Sequence, residues 1–185
     1  MTTARPIDRL RPAAISVPLG GFSFTIPSLP AAQWITAISD THMEMAVLPG
    51  LLPPREAWRL EEMLMDEHVS NQQLNLSVYR AISDASGRDW WQTLRLVGAA
   101  ADETGRILGE LELRGVDPHA MTLARWVSAV YALLTQNMDE KELFKFSANL
   151  MLVPGIEGLE IEDRPDDAAQ VMAMLRTMPG VSIGG

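Results

Sequence analysis

The chain has 185 residues, 47% of them hydrophobic and 21% charged, and its 24 acidic against 15 basic side chains leave a formal net charge of -9. That length points to one compact domain, since a chain of this size buries on the order of 70% of the surface it exposes unfolded. The acidity (pI near 4.8) speaks against nucleic acid as a partner, because phosphate-backbone affinity comes from counterions released at Lys and Arg contacts.

Residues 1–13 place Arg5, Arg9 and Arg11 among Pro6 and Pro12; with no periodicity and no apolar run of the secretory kind, they read as a flexible arm. The ordered part is expected from Ala14. Ile15 and Val17, then Phe22, Phe24 and Ile26, alternate with period 2 around Gly20-Gly21, a pair that tolerates the positive φ angles of a tight hairpin turn. Two strands alone are marginal in water, so this hairpin has to pack on helices or pair with another chain.

After Pro30 the period becomes helical, with Ala31, Trp34, Ile35 and Ile38 at i, i+3, i+4 and i+7. Residues 40–53, punctuated by Pro49, Gly50 and Pro53, read as a connector. A helix is predicted over 55–68, with Ala57, Leu60 and Leu64 on one stripe and Glu56, Glu61, Asp66 and Glu67 mainly elsewhere. Ser70 or Asn71 caps the next helix (Leu74, Val78, Ala81, Ile82), which Gly87 ends.

The longest candidate runs over 88–113, with Trp90, Leu94, Val97, Ala101, Leu108 and Leu111 on one face. Thr122 caps a helix whose Leu123, Trp126, Val127, Val130, Tyr131 and Leu134 form the cleanest stripe in the chain. A helix over 139–151 is expected to turn Leu143, Phe144 and Phe146 toward the core. Residues 157–167 hold six carboxylates against Arg164, and a short amphipathic helix with Ala168, Val171, Met172 and Leu175 follows. The predicted fold is mainly α, a bundle of about six helices with a short N-terminal β-hairpin. It is organised as the arm, a hairpin-plus-helical domain over 14–155 and an acidic segment over 156–185.

Catalytic signals are thin. Cysteine is absent, which removes disulfides, thiolate metal sites and cysteine nucleophiles. His42, His68 and His119 lack the i, i+4 pairing of a helical metal site, so surface histidines are the default. There is no GxSxG elbow and no phosphate-cradling glycine motif, and carboxylates such as Glu61-Glu62 read as a solvated helix face. The expectation is a protein that is not an enzyme and holds no metal or cofactor. No apolar run approaches the ~20 residues of a membrane helix, so a cytosolic protein without a membrane partner is expected.

What remains is apolar. The 11 methionines supply unbranched, polarizable side chains that suit adaptable binding surfaces as well as irregular cores. Met63 and Met65, two apart on one helix, cannot point the same way. Trp90 and Trp91 diverge by about 100°, so Trp90 belongs to the core and Trp91 to a second helix contact or an interface edge.

The linear order of FSFTIPSLPAAQWITAI, PGLL at Pro49–Leu52, RDWWQTLRLVG at Arg88–Gly98, RGVDP at Arg114–Pro118 and LARWVSAVYALL at Leu123–Leu134 resembles the tail assembly chaperones of long-tailed bacteriophages, particularly those of actinobacteria. The resemblance covers about residues 22–155 and rests on order and spacing. It implies a phage protein of the infected cell's cytoplasm that keeps the helical tape measure protein soluble and helps recruit tail tube subunits. It also implies absence from the finished virion, and a longer version of the same protein made by ribosomal frameshifting. On this reading Leu60, Met63, Leu64 and Met65 contribute a client groove and Trp91 a further contact, while the carboxylates keep the loaded complex soluble. Self-association, and association with that longer frameshifted form, stay open. So does a virion structural role, a head-to-tail adaptor or minor tail protein whose hairpin adds strands across subunits.

Overall fold

Among the described residues, two antiparallel strands and eight helices follow one another. In the computed structural model, residues 14–39, 43–118 and 120–154 are described. The expected N-terminal arm, His42, His119, and the acidic 157–167 segment with its following helix lie outside the described residues. Strands β1 (Ile15–Leu19) and β2 (Phe22–Ile26) pair in the register Val17 opposite Phe24, and Leu19 opposite Phe22, across Gly20-Gly21. Val17, Leu19, Phe24 and Ile26 are buried, and Ser16, Pro18, Ser23 and Thr25 face outward. This is the period-2 division a one-sided sheet requires. Phe22 is the exception, partly exposed beneath the Arg59 guanidinium, which lies 4.1 Å from its ring centre.

Helix α1 (Ala31–Ile38) buries Ala31, Trp34 and Ile38, and the Ala31 N–H, otherwise unpaired in a first turn, donates to the Met121 carbonyl at 2.7 Å. The expected connector over 40–53 instead contains α2 (Met43–Leu51), which carries Pro49 in its interior. Val47, Leu48, Leu51 and Leu52 are buried there, among α1, α3 and α4. Burial of this apolar run outweighs the one ladder bond that Pro49 deletes near the helix end.

Helix α3 spans Pro54–Met65, and α4 spans Asn71–Ser86. In α4 the Ser70 hydroxyl accepts from the Gln73 N–H while the Gln73 side chain accepts from the Ser70 N–H, and Gly87 closes the helix at φ 67°. This reciprocal cap is the S-x-x-Q pattern of a helix start. The predicted 88–113 helix is two helices, α5 (Trp90–Asp102) and α6 (Thr104–Leu113). Glu103 leaves helical geometry at φ −122°, and the Thr104 hydroxyl donates to the Ala100 and Ala101 carbonyls that the break exposes. The buried stripe runs through Trp90, Thr93, Leu96, Val97 and Ala100 in α5, then Ile107 and Leu111 in α6. The expected Ala101 is therefore exposed, and Leu94 and Leu108 are only partly buried.

Helix α7 (Leu123–Thr135) starts with the Thr122 hydroxyl accepting from the Arg125 N–H, and it buries the predicted stripe with Tyr131 at its edge. Helix α8 (Glu140–Met151) starts with an Asp139/Glu142 capping box. It buries Leu150 rather than Leu143, Phe144 and Phe146. Phe146 reaches the core only partly, 6.1 Å from the Tyr131 ring centre, and Leu143 is exposed. The helix lies at the rim, where it contacts mainly α5, so its apolar face is only partly covered.

One hydrophobic core runs from Val17 to Leu150. The mainly helical architecture with an N-terminal hairpin agrees with expectation, while the helix count rises to eight among the described residues. None of these helices is long and apolar enough to cross a membrane.

The hairpin turn touches the end of α3. A Cβ at Gly20 (φ 57°) would lie 2.7 Å from Met63 Cε and 2.8 Å from Val69 Cγ2, whereas one at Gly21 (φ 80°) meets open space. Gly20→Ala is expected to destabilise by about 2 kcal/mol, and Gly21→Ala by about 1 kcal/mol, because both carry backbone strain and only the first adds a clash. Urea unfolding of both variants checks this; equal midpoints would show that the contact with α3 contributes nothing.

Candidate partner-binding surface

Helix α3 is where apolar side chains remain outside the core. It begins with Pro53 at the cap and Pro54 in the first turn, where a missing N–H costs nothing. Glu56 suits the positive end of the helix and accepts the Thr25 N–H of β2 at 2.7 Å. The helix ends in a Schellman arrangement: the Glu67 N–H donates to the Leu64 carbonyl at 3.3 Å and the His68 N–H to Met63 at 3.0 Å. Glu67 has φ 54°, the left-handed conformation in which glycine is usual. It is the one such non-glycine residue among those described, and it costs about 1 kcal/mol there.

With 100° per residue, the helix has two chemically distinct sides. Leu60 (0% exposed) and Met63 (6%) lie in the core, with Ala57 and Leu64 partly buried beside them. The expected client groove is corrected accordingly: Leu60 and Met63 hold α3 to the body of the protein and are not available to a partner, and Leu64 is half covered. Met65 is 85% exposed, which settles the Met63/Met65 alternative by placing one on each side.

The residue that sequence reasoning misses is Trp58, 65% exposed. It stands seven residues before Met65, so the two lie within about 20° of each other and about 10 Å apart along the axis. The exposed Glu61 and Glu62 fall between them, with Arg55 one turn before and Asp66 and Glu67 just beyond. The signal was present: stepping 200° from the Leu60 stripe lands on Trp58, but a tryptophan in an amphipathic helix is ordinarily assigned to the core.

Trp91 sits elsewhere and is not a free surface. It is partly buried against the core, edge-on to Trp90 with ring centres 5.7 Å apart. Its indole N–H, like the Asn75 amide oxygen on α4, is buried without a hydrogen-bond partner. Other exposed apolar side chains are Leu113 at the end of α6, and Met151, Leu152 and Val153 at and after the end of α8.

Among the described residues, no group of three or more His, Asp or Glu side chains converges as a metal site would. His68 is exposed, and its Nδ1 lies 2.8 Å from the Asp66 carbonyl. The hairpin edges are occupied at two outward positions. Thr25 is bonded to Glu56, while Pro18 has no N–H and its carbonyl accepts from the Ser77 hydroxyl at 3.2 Å.

The two sides of α3 make opposite predictions for one substitution. Met63→Asp buries a carboxylate among apolar groups and should destabilise by about 3 kcal/mol or more. Met65→Asp should stay within about 0.5 kcal/mol of the parent. Paired denaturation curves decide; a large loss for Met65→Asp would mean that the outer side of α3 is covered in solution. Comparison of the chain with protein-family models, with curated proteins and with solved structures finds no match, so this surface is read from its own chemistry.

Proposed function

We propose that the chain is a tail assembly chaperone of a long-tailed bacteriophage. It acts in the cytoplasm of the infected host without catalysis, binds and solubilises the tape measure protein, helps recruit tail tube subunits, and is left out of the finished virion. The observation that carries this reading is the outer side of α3, where Trp58 and Met65 stand in solvent among carboxylates although the core is complete without them. Exposed aromatic and methionine side chains spaced along one helix face suit a helical client that presents its own apolar stripe.

The ordered motifs support the same reading. RDWWQTLRLVG opens α5, LARWVSAVYALL forms nearly all of α7, and PGLL closes α2. The competing virion role by strand addition is disfavoured by the hairpin, whose outward groups at Thr25 and Pro18 already have partners within the chain.

The test is co-expression with the tape measure protein of a long-tailed phage whose genome encodes this chain. The parent chain should hold the client in the soluble fraction. Trp58→Ala combined with Met65→Ala should lower the soluble client about tenfold, the effect of roughly 1.4 kcal/mol lost at the surface. Mass spectrometry of purified particles should find the chain missing; ring stoichiometry in the virion would sink the chaperone reading in favour of an adaptor.

A further inference from the structure

The outer side of α3 carries an uncompensated charge beside its apolar groups. Residues 55–67 include five carboxylates and two arginines. Glu56 is engaged with the β2 backbone and Arg59 lies over Phe22. None of Glu61, Glu62, Asp66 and Glu67 forms an ion pair with a described residue, whereas Arg106 pairs with Glu103 and Arg114 with Glu110 at α6 and its ends. Arg55 stands one turn before Trp58, so the exposed face is apolar at Trp58, acidic through Glu61 and Glu62, apolar again at Met65, and acidic beyond.

Three occupants compete for such a face. A second copy of α3 packed antiparallel would set Trp58 against Met65, an attractive pairing. It would also bring Glu61 and Glu62 of both copies together at the two-fold axis, where like charges oppose assembly. An acidic segment is repelled by the same groups. A helix with an apolar stripe flanked by Lys or Arg satisfies both components, and Arg55 confines its basic residues to the C-terminal half of α3.

We infer that the outer side of α3 docks a basic amphipathic helix, its apolar stripe on Trp58 and Met65 and its cations opposite Glu61, Glu62, Asp66 and Glu67. This rests on α3 being the client surface proposed above, and it specifies the part of a client that the surface takes. Glu67 fits the assignment, since a carboxylate occupies the left-handed position that glycine would fill without strain.

The test uses the full-length chain and three labelled helical peptides of about 18 residues, each with leucine at i, i+3, i+4 and i+7 and with Lys, Gln or Glu at the remaining positions. By fluorescence anisotropy, the Lys peptide should bind about tenfold tighter than the Gln peptide, and the Glu peptide should bind weakest, with the spread narrowing as salt is raised. Glu61→Lys with Glu62→Lys, which takes the four-residue face from a charge of -4 to 0, should collapse that spread, and Trp58→Ala should weaken the Lys and Gln peptides alike; circular dichroism checks that each variant keeps its fold.

Equal affinities for the parent chain, a spread unchanged by the double substitution, or Lys-peptide binding that ignores Trp58→Ala overturns the inference, the last because it marks general attraction to an acidic protein. Self-association that Trp58→Ala abolishes overturns it as well, in favour of a second copy. The two readings fail separately. A tape measure kept soluble independently of Trp58 removes this site and leaves the chaperone standing. Peptide binding without tape measure binding does the reverse.

Discussion

Burial of α4 on several sides at once is the constraint on which the rest of the molecule depends. Leu74, Val78 and Ile82 are each at most 1% exposed, and the helix contacts β1, α2, α5 and α7. Small residues make the close approach feasible. Ser77 lies against β1 with its hydroxyl on the Pro18 carbonyl, and Ala81 is buried about three turns from the Ser70 cap. Tyr79 stacks on Trp90 with ring centres 3.9 Å apart and planes within 14°, a contact worth about 1 kcal/mol beyond its area, which brings α5 in beside α4. The hairpin, marginal alone, is stable because its apolar side completes this core.

Helix termini are secured by neighbours as well as by local caps. The α4–α5 junction is a small buried network in which the Thr93 hydroxyl, fully buried, donates to Ser86 Oγ at 2.8 Å while the Arg88 N–H also donates to that oxygen. Arg95 of α5 donates to the Asn149 and Leu150 carbonyls at the end of α8, where a cation meets the negative end of a helix. Arg106 of α6 reaches the Leu133 carbonyl of α7. These long-range bonds position the peripheral helices α6 and α8, which bury fewer side chains than α4 or α7.

The position of α3 follows from that arrangement. Leu60 and Met63 lock one side to the core, Glu56 and Arg59 tie the flanks to the hairpin, and Gly20 lets the turn approach Met63. What is left over is a rigid helix face with two large apolar side chains and four carboxylates. Because the helix is pinned on the opposite side, a partner that docked there would require no reorganisation of the rest of the chain.

Much of the architecture was legible because it rests on local rules. The hairpin follows from alternation around Gly20-Gly21, the starts of α4, α7 and α8 from Ser70, Thr122 and Asp139, and the end of α4 from Gly87. Helix α2 was not legible, since Pro49-Gly50 signals a stop and only enclosure by three neighbours reverses it. The break at Glu103 was equally hidden, because the apolar period continues through it with a small phase error.

The candidate surface was half legible: composition and spacing located an acidic helix with methionines on both sides. Which side faces solvent depended on where β1, α2 and the Gly20 turn come to rest, and that exchanged Leu60 and Met63 for Trp58. The sequence by itself thus determined element type, caps and the acidic, methionine-rich character of α3, all set by interactions within a few residues. Only the tertiary structure decided which of its apolar side chains are spent on the core and which remain in solvent, because burial is a property of packed neighbours.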